Sequence, residues 1–382
     1  MLIKMGREGA GKMRWNFYLL NACLIAAAAF CFYFVYRRFF ELFGLKKGSW
    51  GSRALSGAAG LASGLMIWPV YGFGAVAALC LLAACGITML LHLLLYRSRW
   101  GKSRCWYVLS HSYLPGLVLV GMMLGYGYYN MHHIIEKDYT VYSSKLEAGQ
   151  SLRILAITDL HLGVNMDAAR LKEICDEAEK QVLDLVVLGG DIFDESTSRA
   201  EMERAAAVLG GINSTYGTFY VFGNHDPNLY RQDPSYTSGE LRDTLLNNGI
   251  MVLEDEVMAV GADLAVIGRK DAGRMDRAEI GELAAQAENG RFILLLDHQP
   301  VGLEANAAAG IDLQVSGHTH GGQMWPTGPV MEFFGVNEMN YGIRKINNLQ
   351  VIVSSGIAGW GYPLKTGAPC EYITIDVMGT SS

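Results

Sequence analysis

The chain has 382 residues and a formal net charge of −6. That total hides a division: residues 1–130 carry 13 Lys and Arg against 2 Asp and Glu, and the remainder carries 18 against 35. The acidic C-terminal part excludes a nucleic-acid-binding surface, which needs basic stripes, and it suits a site that binds cations.

Residues 1–130 read as a transmembrane region with four helices, at about 15–36, 54–71, 75–95 and 106–129. Trp15 to Tyr36 is a nearly charge-free apolar run without a small-residue cleavage site, stopped by Arg37 and Arg38. The block from Ala54 to Tyr96 is too long for one crossing. Pro69 and Gly72-Phe73-Gly74 break it into two. Gly57, Gly60 and Gly64 recur on the first of these and would allow close helix packing, although weak hydrophobicity is the plainer account. Trp106, Tyr107, Tyr126, Tyr128 and Tyr129 flank the last span, as aromatics do at membrane interfaces. His92 and His111 are expected as packed or interfacial side chains. The five cysteines of this part, with only Cys175 and Cys370 beyond it, form neither a disulfide framework nor a CxxC knuckle.

With four spans, two basic loops share one face. They hold Arg37, Arg38, Lys46, Lys47 and Arg53, then Arg97, Arg99, Lys102 and Arg104. The other face has Lys4, Arg7, Lys12 and Arg14. The positive-inside rule puts the two loops in the cytoplasm. Residues 131–382 then fall on the outer face of an integral membrane protein, with the plasma membrane as its expected home.

From about Asn130 the composition becomes that of a soluble α/β domain. Buried-strand patterns at Leu152–Ile157, Leu183–Leu188, Gly217–Phe222, Arg291–Leu296 and Ile311–Val315 are interleaved with helical patterns at about 167–180 and 199–209. Tyr341–Ile346, Leu349–Ser354 and Tyr372–Val377 read as antiparallel strands. The expectation is two sheets packed face to face with helices outside. Polar residues collect just past the strand ends, where ligands bind in open α/β sheets.

Five of the nine histidines stand in those places: His161, His225, His298, His318 and His320. Asp159, Asp191 and Asn224 share them. Scattered surface histidines would not fall this way. A mixed nitrogen and oxygen set of this size suits two divalent ions better than one tetrahedral zinc, and Asp191 is the natural bridging carboxylate. Asp194, Asp226 and Asp297 read as supports for the ligands or as solvated strand ends.

The segments Asp159-Leu160-His161, Gly190-Asp191-Ile192-Phe193-Asp194, Gly223-Asn224-His225-Asp226, His298-Gln299-Pro300 and Gly317-His318-Thr319-His320 resemble the five motifs of the calcineurin-like metallophosphoesterases, in family order. Gly321–Pro326 and the stretch from Ser355-Gly356-Ile357 to Pro369-Cys370-Glu371 resemble the membrane-associated bacterial branch, which includes cell-wall and lipid phosphodiesterases and UDP-diacylglucosamine pyrophosphatases. The resemblance implies an α/β (α+β) four-layer sandwich of two mixed sheets flanked by helices. It implies that Asp159, His161 and His320 hold one metal and that Asn224, His298 and His318 hold the other. Asp191 would bridge them, and His225 would be the catalytic proton donor. Two divalent ions, with Mn, Fe and Zn as the candidates, would activate a hydroxide for attack on phosphorus. Lys365 stands where the branch often has arginine and would still offer a cation to a phosphate.

The function expected is hydrolysis of a phosphoric ester or anhydride, phosphodiesterase or pyrophosphatase in type, on a lipid- or envelope-linked substrate at the bilayer. The alternatives are a catalytically silent membrane sensor or scaffold, and a transporter with a regulatory domain. The complete ligand set argues against the first. Spans without internal charges offer no ion path for the second. Met324, Trp325, Phe333, Phe334, Trp360 and Tyr362 could line an acyl or isoprenoid groove, or could pack the second sheet.

Overall fold

The computed structural model describes residues 7–46, 48–68, 72–231 and 233–380. It divides into two compact units, Met1–Tyr126 and Gly127–Ser382. Lys4, Lys47 and Pro69, which the sequence reading used for orientation and for the helix break, lie outside the described residues.

The first unit is helical: α1 (Arg7–Phe39), α2 (Trp50–Leu65), α3 (Phe73–Leu95), α4 (Arg104–Ser112) and α5 (Leu114–His132), which runs on into the second unit. Four spans were expected. Among the described residues two helical stretches are long and apolar enough to cross a membrane, Asn21–Phe43 and Phe73–Leu95. A third crossing exists if α4 and α5, bent by 45° at Tyr113, count as one span.

The expected span at 54–71 fails on length. α2 has 16 residues and ends at Leu65, and at about 1.5 Å per residue it is shorter than the roughly 30 Å hydrocarbon core. Its buried residues are Ser52, Ser56, Gly60 and Gly64, a strict four-residue stripe. A Cβ on Gly60 would lie 2.7 Å from Ala29 O, and one on Gly64 would lie 2.8 Å from Ile25 O. These two glycines let α2 pack directly on the backbone of α1. Gly57 has open space around its Cα and takes no part. His92 and His111 are packing residues, with rings in T-shaped contact 5.4 Å apart and His92 Nδ1 3.1 Å from Ser110 Oγ.

The second unit holds two six-stranded mixed sheets. In chain order its elements are β1 (Ile134–Ser143), β2 (Ser151–Ile157), α6 (Ala168–Ala178), β3 (Leu185–Leu188), α7 (Arg199–Gly210), β4 (Thr218–Tyr220), α8 (Ser238–Asn247) and β5 (Ile250–Val252). Then come β6 (Glu256–Val260), β7 (Leu264–Gly268), α9 (Ile280–Ala284), β8 (Phe292–Leu296), α10 (Leu303–Ala308) and β9 (Leu313–Ser316). The last are α11 (Thr327–Phe333), β10 (Gly342–Ile346), β11 (Leu349–Val353) and β12 (Cys370–Gly379). One sheet has the order β1-β12-β2-β3-β4-β5 and the other β10-β11-β9-β8-β7-β6.

The central strands are continuous apolar runs because both of their faces are covered. In β2, Ile154 and Ala156 enter the core between the sheets, while Leu155 and Ile157 enter the core under α6, α7 and α8. In β8, Phe292, Leu294 and Leu296 enter the same central core, while Ile293 and Leu295 pack beneath α9 and α10. Two such sheets back to back give helix, sheet, sheet and helix layers. β10 and β11 pair antiparallel, but β11 also lies parallel to β9. β12, also read as antiparallel, lies in the other sheet, antiparallel to β2 as read but parallel to β1 over Ile134–Ser143.

Gly268 ends β7 against Leu253 and Val221, which follow β5 and β4 of the other sheet. A Cβ there would lie 2.2 Å from Leu253 Cβ and 2.9 Å from Val221 Cγ1. Gly268→Ala is therefore expected to destabilise this unit by about 1–3 kcal/mol through overpacking, read as a lowered unfolding midpoint; an unchanged midpoint would contradict the packing described.

Candidate metal centre

The parallel strands of both sheets end at one edge, and their following loops carry the site. Asp159 and His161 follow β2, Asp191 follows β3, Asn224 and His225 follow β4, His298 follows β8, and His318 and His320 follow β9. The loops are bonded to one another. Asp159 N donates to Gly190 O and His161 N to Asp191 O, each at 3.0 Å. His318 N donates to the Asp159 carboxylate at 2.9 and 3.1 Å, and His225 N donates to Asp191 Oδ1 at 2.8 Å. Gly317 is required for this approach, because a Cβ there would lie 2.0 Å from Asp159 Oδ2.

The side chains converge in two groups. Asp159, His161 and His320 bring donor atoms within 4.8 Å of one another, and so do Asp191, His298 and His318. Asp191 faces both groups: its Oδ2 lies 3.1 Å from His298 Nε2 and 3.9 Å from His161 Nε2. Six of the seven sequence-assigned ligands thus fall into two triads. The seventh, Asn224, adds a buried Oδ1 that has no hydrogen-bond partner.

The donor set fits cations. His161 Nε2 and His320 Nδ1 are also buried without partners, and His298 Nε2 faces the Asp191 carboxylate at 3.1 Å. Unsatisfied polar atoms of this kind are rare in native proteins and need an explanation. The opposite ring nitrogens of two of these histidines are engaged. His161 Nδ1 lies 3.1 Å from Asp194 Oδ2, and His298 Nδ1 lies 2.9 Å from Gly189 O. Such partners fix the tautomer and aim the free nitrogen, as they do around bound metals.

Burial, then the His298 charge, lowers the pKa of His318; burial, then His161 and Lys365, holds that of His320 well below the usual range. Both shifts favour the neutral imidazole, the form that ligates. Burial also opposes a proton on His298, but the Asp191 carboxylate outweighs it and raises its pKa. A positive charge is wanted between those two groups, and a metal ion would supply it.

His225 stands apart from both triads. Its Nδ1 lies 3.0 and 3.2 Å from the Glu195 carboxylate oxygens, and its ring sits 5.1 Å from both Tyr230 and Trp360. Burial disfavours its charge, yet the Glu195 hydrogen bond and the Asp191 charge raise its pKa overall. Sequence reasoning missed Glu195 and Tyr230. Glu195 follows Asp194 directly, but nothing in its identity marks a histidine partner 30 residues on.

Asp226 is structural. It accepts from Asp191 N at 2.7 Å, Gly223 N at 2.6 Å and Phe193 N at 3.0 Å, and also from Tyr220 Oη. Asp297 pairs with Arg269 and Arg277. Lys365 is not available to a phosphate. It is fully buried, and its ammonium donates to the carbonyls of Ser355, Gly356 and Ala358.

The calcineurin-like phosphoesterase family model matches residues 152–322, the span that holds all five loops. An uncharacterized metallophosphoesterase of Campylobacter jejuni is 30% identical over 243 residues, covering 60% of this chain and 60% of that protein. One of Aquifex aeolicus is 26% identical over 274 residues, covering 69% of this chain and 99% of that protein. A transmembrane protein with metallophosphoesterase domain of Danio rerio is 28% identical over 240 residues, 60% of this chain and 54% of that protein. The chain thus spans about three fifths of the length of relatives such as the Campylobacter protein. Matched across the strand-end loops that carry both triads, the chain contains a calcineurin-like metallophosphoesterase domain.

Proposed function

We propose that the chain is a membrane-anchored phosphoesterase that hydrolyses a phosphoric ester or anhydride of a lipid- or envelope-linked substrate. The observation that carries this reading is the pair of donor triads facing one carboxylate, Asp191. In this reading Asp159, His161 and His320 hold one divalent ion, Asn224, His298 and His318 hold the other, and Asp191 bridges. Such ions supply Lewis-acid neutralisation of phosphoryl oxygens and lower the pKa of water; Mn, Fe and Zn all accept mixed nitrogen and oxygen ligands.

The chain's own residues do the rest. Asp194 and Gly189 O hold His161 and His298 with Nε2 directed inward. Glu195 holds His225 Nδ1, which leaves Nε2 to give a proton to the departing oxygen. The Glu195 hydrogen bond and the Asp191 charge, which raise the pKa of His225, favour the protonated form. Tyr230 and Trp360, each with its ring 5.1 Å from that of His225, narrow the approach to it.

We place this unit on the outer face of the plasma membrane, for a reason that follows the shorter helix count. With α1, α3 and the bent α4–α5 pair crossing, Lys4, Arg7, Lys12 and Arg14 share a side with Arg97, Arg99, Lys102 and Arg104. These eight outnumber the five basic residues of the loop after α1, and the positive-inside rule puts the larger group in the cytoplasm.

The purified full-length protein, reconstituted with Mn, Fe or Zn in turn, is expected to hydrolyse members of a panel of soluble and lipid-embedded phosphodiesters, monoesters and pyrophosphates. Metal bound at two equivalents with no turnover on any of them would favour the sensor or scaffold reading. Asp194→Ala, which removes the acceptor for His161 Nδ1, is expected to weaken metal binding about 10–100-fold. Unchanged affinity in a metal titration would deny Asp194 that role. His225→Ala should keep both metals and lose roughly 10²–10⁴-fold in kcat, and less with a leaving group that needs no proton; loss of a metal would make His225 a ligand. Finally, a cysteine introduced at Val182, which is exposed, should react with an impermeant thiol reagent in intact cells, whereas reaction only after lysis would reverse the orientation.

A further inference from the structure

The segment Met324–Val336 contains a single charged residue, Glu332. That carboxylate is half-buried and partnered, accepting from Asn340 N at 3.2 Å and pairing with Arg344. The outward side chains are apolar: Trp325 is 70% exposed, Val330 46%, Phe333 83%, Phe334 73% and Val336 65%. These aromatics therefore do not pack the second sheet. An uncharged apolar surface of this size on a folded domain marks a contact with another apolar phase.

The attachment of the segment points to which phase. Trp325 N donates to Thr366 Oγ1 at 3.0 Å, and the Thr366 and Gly367 amides both donate to Gln323 O at 2.8 Å. The same loop is held from its other side by the end of α5. Asn130 Nδ2 donates to Lys365 O at 2.9 Å and to Ala368 O at 3.0 Å, and Lys365 N donates to Gly127 O at 3.1 Å. α5 is the second half of the bent apolar pair that can form a span. The patch is thus one loop removed from the point where the chain leaves an apolar helix.

We propose that Met324–Val336 docks on a lipid surface, with Trp325, Phe333 and Phe334 entering the interfacial layer where aromatic rings are favoured. An open cleft of about 800 Å³ is lined by Trp325 and Phe333 of this segment, by Tyr341 and by Gly321, the residue after His320. A phosphorylated lipid headgroup at the docked surface would enter there beside the donor triads. Only this last step rests on the phosphoesterase reading; the docking does not.

The test uses the full chain in phosphatidylcholine proteoliposomes, with Cys23, Cys31, Cys80 and Cys105 changed to Ser. A fluorescent thiol probe is placed at Phe334→Cys or, as a control, at Val182→Cys, which is exposed before the N-terminal end of β3. Spin-labelled phosphatidylcholine is expected to quench the Phe334 probe several-fold more than the Val182 probe. Trp325→Ser combined with Phe333→Ser should reduce that difference. Equal quenching at the two sites would overturn the proposal, as would self-quenching at Phe334 without lipid quenching, which would identify a second copy of the chain as the occupant. Hydrolysis is measured on the same vesicles. Quenching without hydrolysis would remove the enzymatic reading and leave the docking; hydrolysis without preferential quenching would do the reverse.

Discussion

The structure turns on one buried carboxylate. Asp191 is almost wholly removed from solvent, where an unpaired charge would cost several kcal/mol. It is tolerated because His298 Nε2 lies 3.1 Å away on a loop of the other sheet, with His161 close on its own. Burial pushes the Asp191 pKa up, but His298, His161 and His225 together bring it well below the usual carboxylate range. This charge therefore needs both sheets at once. Their relative placement is set by the shared core of Ile154, Val187, Phe292 and Leu294. Any change that slides one sheet on the other acts directly on the contact between Asp191 and His298.

The site also holds backbone strain. Asp159, His161, Asp191, His318 and His320 all have positive φ, between 42° and 69°, and they are five of the ten such non-glycine residues described. Each costs on the order of 1–3 kcal/mol, a sum comparable to the whole net stability of a domain, about 5–15 kcal/mol. It persists because the turns are over-determined. Asp226 alone gathers the amides of Asp191, Phe193 and Gly223. A residue without a partner nitrogen or a ligand role thus fixes the two turns that present Asp191 and Asn224. The gain is a set of inward-facing donors that no relaxed strand end would produce.

Much of this was legible in the chain. Strands buried on both faces read as unbroken apolar runs, so β2, β3, β8 and β9 were found, and the histidines and aspartates at their ends were found with them. What failed was not local. The pairing of β12 with β1 joins Ile134 to Cys370, and no neighbouring residue announces it. The apolar block after Ala54 suggested two spans because composition was weighed and periodicity was not. The stripe Ser52, Ser56, Gly60 and Gly64 was present, and it describes a short helix packed on α1. Lys365 read as a phosphate contact because it stands where the resembling branch often has arginine; only its three carbonyl acceptors show it to be a structural cap. Glu195 carried no signal at all.

Glu195 also shows why two histidines with the same local chemistry differ in role. Asp194 and Glu195 are adjacent, and each engages Nδ1 of a histidine, His161 and His225 respectively. Both rings consequently present Nε2 away from their carboxylate. The difference lies in burial, with the His161 side chain 1% exposed and that of His225 12%. At His161 the buried Nε2 has no hydrogen-bond partner, and in the function proposed above a fixed cation would satisfy it. At His225 the ring is more open, with the Tyr230 and Trp360 rings each 5.1 Å away, and in the same proposal a substrate oxygen would arrive and leave there. A ligand must be held permanently and a proton donor must exchange its partner at each turnover. A ring nitrogen sealed from solvent serves the first need, and one at an aromatic-lined opening serves the second.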